Sequence, residues 1–143
     1  YNHGKCDYER LSTSEIELRE FYKRLFRIAV SEPAIREGQF FDVMYVNYGK
    51  PHFDAHRQYA YLRKKGHDII LVAVNFSGEE CNVEITIPEH AFETLGMLRG
   101  NFFATELLTS RRKKKSLMPD QPFVTDIPAN GAVIWKIKQS KAK

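Results

Sequence analysis

Two imidazoles flank a carboxylate in Pro51-His52-Phe53-Asp54-Ala55-His56, a spacing that could bring His52, Asp54 and His56 to one zinc ion. In an irregular loop the same residue types more often fix the turn by local hydrogen bonds, and that is the expectation here. Glycoside hydrolysis needs two carboxylates held across a cleft, one of them shifted in pKa. The acids of this chain are instead scattered over helix faces, turns and strand exteriors, with Asp42, Asp54, Asp68 and Asp126 the least trivial. His3, His67 and His90 have no histidine close by, no serine occupies a nucleophile elbow, and no glycine-rich loop resembles a phosphate cradle. Cys6 lies in the leader and Cys81 reads as a buried thiol at a strand edge. The expectation is a chain with no catalytic residue, no metal and no cofactor.

Binding has the better basis. Sugars are read by exposed rings lying on pyranose faces, with amides and charges at the rim. Tyr45, Asn47 and Tyr48 are the candidate glycan contacts; Phe53, Tyr59 and Trp135 are further aromatics, with Arg57 and Gln58 nearby. Alternation places Trp135 on the same side as Val133 and Ile137, hence in a core.

These residues need elements to hold them. Residues 12 to 30 predict one amphipathic helix, with Ser14 and Glu17 as a capping box and Leu18, Phe21, Tyr22, Leu25, Phe26, Ile28 and Ala29 recurring every three or four positions. Pro33 stops it. After Gly38 the period changes to two. Strands are expected at Gln39 to Val46, Tyr59 to Arg63, Ile69 to Asn75, Asn82 to Ile87, Phe102 to Leu108, Phe123 to Ile127 and Ala132 to Ile137. The Ile69 strand is apolar on both faces and should be central, and Lys64 to Asp68 should close a hairpin. Pro88 to Leu95 reads as a helical turn whose Phe92 and Leu95 plug one end. With no crossover helix after residue 39, the fold class is all-β: an antiparallel β-sandwich of about seven or eight strands preceded by one α-helix. The division is 1–37, leader loop and helix, and 38–143, sandwich.

A length of 143 residues suits one domain, and 43% apolar with 28% charged residues excludes a cysteine scaffold, a collagen repeat and a charge-dominated disordered chain. The longest apolar run, Ile69 to Val74, is strand-sized, so no membrane span is expected. The chain opens on Tyr1 without a basic-then-apolar leader, which reads as a cut-out or processed piece. Of the +4 net charge, residues 101–143 carry nine basic against three acidic side chains, five of them in Arg111-Arg112-Lys113-Lys114-Lys115. That run reads as a solvated turn between strands, with a basic adaptor for anionic partners as the lesser reading. Nucleic acid is not an expected partner, because the aromatics lie within strand-like runs.

Leu18-Arg19-Glu20-Phe21-Tyr22-Lys23-Arg24-Leu25 through Pro33-Ala34-Ile35-Arg36-Glu37-Gly38 resembles the last helix of the catalytic barrel in the alpha-amylase superfamily, glycoside hydrolase family 13, as it enters the C-terminal all-beta domain. Tyr59-Ala60-Tyr61-Leu62-Arg63 and Ile69-Ile70-Leu71-Val72-Ala73-Val74-Asn75-Phe76-Ser77 are similar to paired strands there, and Ile127-Pro128-Ala129-Asn130-Gly131-Ala132-Val133-Ile134-Trp135 to the turn feeding the final strand.

The resemblance implies a non-catalytic domain that braces a barrel acting on alpha-glucans by a retaining mechanism. It places the catalytic aspartate, glutamate and second aspartate before Tyr1, so none is assigned to a residue here, and the calcium some members bind has no matching site. Asn2, His3 and Asp7 would border the substrate cleft. The missing barrel is then the expected partner, and the helix, lacking it, should fold back on the sheet or self-associate. The alternative function is a carbohydrate-binding module for starch-like alpha-glucan.

Overall fold

The structure is a computed structural model that describes residues 8–140, with side chains from residue 9 onward. The expectations for Asn2, His3, Cys6 and Asp7 lie outside the described residues. A 3₁₀ turn at Tyr8–Arg10 precedes the helix α1, Thr13–Ser31. Its capping box is built by Ser12 and Glu15 rather than Ser14 and Glu17: the Ser12 hydroxyl accepts from the Glu15 amide and the Glu15 carboxylate accepts from the Ser12 amide. Both pairs have the required spacing, and the earlier one satisfies the first turn while leaving Ser14 to bond the Ser12 hydroxyl. Glu32 ends α1, and Pro33 opens a second short helix, α2, Pro33–Glu37.

Eight strands follow: β1 Gln39–Asp42, β2 Gln58–Lys65, β3 Asp68–Asn75, β4 Cys81–Ile85, β5 Gly100–Glu106, β6 Arg111–Leu117, β7 Phe123–Ile127 and β8 Gly131–Lys138. Two short helices interrupt them, α3 Met44–Asn47 and α4 Glu89–Leu95. Six strands form one sheet in the order β1-β2-β3-β8-β5-β6, the other two pair as β4-β7, and every pairing is antiparallel. The expected fold class holds.

Two strands also depart from the sequence reading. The first strand ends at Asp42, not Val46, because the Asp42 carboxylate accepts the Met44 amide hydrogen at 2.7 Å and turns the chain into α3. Arg111 to Lys115 form no turn but most of β6, held in register by β5, with Phe102 opposite Lys115 and Thr105 opposite Arg112. The turn lies just before, where Ser110 takes a positive φ of 63°.

The core lies between the sheets. Leu62, Ile69, Leu71, Val133, Trp135 and Ile137 from the large sheet meet Val83, Ile85, Phe123 and Ile127 from the small one, and Phe92 and Leu95 of α4 close an end as expected. Trp135 is fully buried; its indole N–H donates to the Thr125 hydroxyl at 2.9 Å and its ring meets Phe123 edge-on at 6.4 Å, joining β8 to β7. Glu106 is also buried, yet its carboxylate accepts from the amides of Leu108, Thr109 and Ile134 and from the Thr109 hydroxyl, so it shapes the β5–β6 turn.

Gly38, between α2 and β1, has no room for a side chain: a Cβ there would stand 2.2 Å from the Ala34 carbonyl oxygen and 2.9 Å from that of Lys64. Gly38→Ala is therefore expected to lower unfolding free energy by about 1–3 kcal/mol, read as a reduced urea midpoint with an unchanged slope.

Candidate functional site

The large sheet has a second face. Alternation in β3 sends Ile69, Leu71 and Ala73 to the main core and Ile70, Val72 and Val74 outward, where they join Tyr61 of β2 and Ile134 of β8. The helices partly cover this face: Ala34 is buried against it, and Leu25, Ile28 and Ile35 are half-buried. Polar tethers hold α2 in place. The Arg63 guanidinium donates to the carbonyls of Ala34 at 3.2 Å and Ile35 at 2.7 Å, Lys136 pairs with Glu32 at 2.8 Å, and Lys65 pairs with Glu37. The Lys65 ammonium, and then Arg36, hold the Glu37 carboxyl below the usual carboxylate range.

Helix α1 itself is under-buried, and none of its residues is fully enclosed. An open groove of about 610 Å³ runs between it and the sheet, lined by Phe21, Leu25, Ile28, Tyr61, Val74 and Ile134 among others. Leu18, Tyr22, Phe26 and Val30 recur every fourth residue as an exposed apolar stripe that meets the groove at Tyr22, with Phe26 at 66% exposure. Tyr22 contacts both Phe21 and Phe26, with ring centroids 6.0 and 6.4 Å apart. Phe76, beyond the end of β3, is 70% exposed and also lines the groove. The apolar arc of this helix is too wide for what the sheet covers.

The three candidate glycan contacts separate. Tyr45 and Tyr48 project into solvent at 55% and 64% exposure, whereas Asn47 between them is completely buried. Its amide donates to the carbonyls of Val43 at 2.7 Å and Thr86 at 3.0 Å and accepts from the Thr86 amide at 2.8 Å, clipping α3 to the segment after β4. Sequence spacing placed Asn47 with the tyrosines, but its position in a single helical turn points it inward.

The loop at residues 51–56 is held by its own bonds. Asp54 accepts from the His56 amide at 3.0 Å and lies 3.8 Å from the Arg57 guanidinium, while His52 lies 3.8 Å from Glu84. Among the described residues no group of three or more His, Cys, Asp and Glu side chains is arranged to hold a metal ion. Burial, and then Asp126 and Glu80, raise the Cys81 thiol above its ordinary pKa, so it has little nucleophilic thiolate at neutral pH. No helix among the described residues is long and apolar enough to cross a membrane.

No protein-family model and no curated protein matches the sequence. Solved structures do match the fold. An alpha-amylase from Geobacillus thermoleovorans complexed with acarbose superposes with a TM-score of 0.64 at 14% identity over 96% of this chain and 25% of its own. AmyP in complex with maltose gives 0.63 at 13% identity over 94% and 23%, and the maltogenic alpha-amylase AmyB of Thermotoga neapolitana 0.63 at 13% over 87% and 26%. The chain thus has the fold of a segment found in alpha-amylase structures, and it spans about a quarter of their length.

Asn47→Ala is expected to cost about 2–4 kcal/mol, because it strands buried backbone groups of Val43 and Thr86, while Tyr48→Ala stays within about 0.5 kcal/mol as an exposed substitution. Paired urea melts of the two variants check this.

Proposed function

We propose that this chain is the C-terminal β-domain of an alpha-amylase-like glycoside hydrolase, with α1 as the last helix of its catalytic barrel, and that it braces the barrel that acts on alpha-glucans. The observation that carries the reading is the apolar stripe Leu18, Tyr22, Phe26 and Val30, continuous with an open apolar groove. Burying each such side chain is worth roughly 1.5–3 kcal/mol, so a second body seated on this face would gain from every one of them. The fold likeness to about a quarter of each alpha-amylase chain supports it as well, since the remaining length of those chains is of the size a barrel requires.

The test uses Phe26→Glu with Val30→Glu. In the parent enzyme the pair is expected to lower the thermal midpoint and the half-life of activity, leaving KM for a maltooligosaccharide unchanged. In the chain alone the same pair is expected to abolish concentration-dependent self-association in sedimentation velocity without loss of strand content. A parent enzyme indifferent to both charges would overturn the reading.

A second reading, a carbohydrate-binding module for alpha-glucan, is favoured by the exposed rings of Tyr45 and Tyr48. The bracing role requires no heat of binding from a soluble alpha-glucan or a chain-matched beta-glucan. Saturable heat from the alpha-glucan alone, lost in Tyr48→Ala, would establish the module instead.

A further inference from the structure

Strand β6 is the edge of the large sheet, and charged side chains on an edge strand discourage pairing with another chain. Arg112 lies to one side of β6, its guanidinium 4.6 Å over the exposed Phe103 ring. Arg111, Lys113 and Lys115 are on the other side and converge. The Arg111 guanidinium and the Lys115 ammonium lie 5.6 and 4.6 Å from the centroid of the same ring, Trp135. Together with Lys113 they line a groove of about 320 Å³ whose opposite wall is β7 and whose rim holds Asn82 and Asp126.

An edge guard costs least in water, but Lys115 is half-buried, with its ammonium donating to the Val124 carbonyl at 2.6 Å. Burial, and then Lys113 and Arg111, depress it below the ordinary lysine range. Among the described residues none of the three cations has an ion-pair partner within 4 Å. Asp126, in the same groove, accepts the Asn82 amide hydrogen at 2.7 Å. A guanidinium and two ammonium groups around one opening are donors suited to a tetrahedral dianion, which would also relieve their mutual repulsion. Asn82 and Asp126 beside them offer a donor and an acceptor to hydroxyls on whatever carries it.

We propose that the β6–β7 groove binds a phosphoryl group, with Arg111, Lys113 and Lys115 as its cationic ligands and Asn82 and Asp126 as partners for a hydroxylated carrier. The site shares no lining residue with the groove beside α1. Trp135 is the only tryptophan of the chain and lies beneath two of the cations, so its fluorescence reads occupancy directly.

The experiment titrates the chain with inorganic phosphate, glucose 6-phosphate and glucose, at ionic strength held constant with chloride. A saturable fluorescence change with both phosphates and none with glucose is expected, tighter for glucose 6-phosphate if the carrier is read. Equal affinity for the two phosphates would keep the phosphoryl site and remove the carrier's hydroxyls from it. Lys113→Gln, an exposed substitution, is expected to weaken binding about tenfold, and Arg112→Gln, which lies outside the groove lining over Phe103, to leave it unchanged. Equal weakening by both variants, or no saturable response to either phosphate, would overturn the site. Retention of a short oligonucleotide without any response to phosphate would do so too, in favour of an extended polyanion surface.

Discussion

The structure depends on one constraint: β3 is apolar on both faces, and its sheet therefore needs two covers. The β4–β7 pair with α3 and α4 provides the first completely, as the burial of Trp135, Leu71 and Phe123 records. The helices provide the second in part. Polar attachments from Arg63 to the carbonyls of α2 and from Lys136 to Glu32 hold α2 in position, while α1 rests on a few half-buried side chains.

That asymmetry is what the proposed role rests on. A hydrophobic stripe left in water along a 19-residue helix gives up free energy comparable to much of a domain's net stability. A chain that keeps such a stripe has a physical reason to present it to another body. Among the described residues the carboxylates of Glu15, Glu32, Asp42, Asp54 and Glu106 serve as a cap, a tether and turn acceptors.

Most of the fold was legible because it is written in periodicity. Alternation identified β2, β3, β4, β7 and β8 within two residues at either end, and assigned Trp135 to the core. Strand β6 was not legible, because Arg111 to Lys115 have no apolar alternation; they become a strand through backbone pairing with β5, which composition does not encode. The end of β1 was missed for a local reason, the Asp42 carboxylate turning the chain two residues on. At the candidate contacts, whether a side chain faces inward depends on α3, and that put Asn47 in the interior between two exposed tyrosines. The cationic groove needed the same three-dimensional fact, since only pairing brings alternate members of the basic run over one indole ring.

The central claim, that the α1 face is made to be covered, is tested most directly by amide hydrogen exchange. In the chain alone, amides of α1 should exchange far faster than those of β3, and in a protein where this chain continues from a catalytic barrel they should be protected to a level near that of β3. Slow exchange of α1 in the chain alone, or no gain in protection when the barrel is present, would contradict the account.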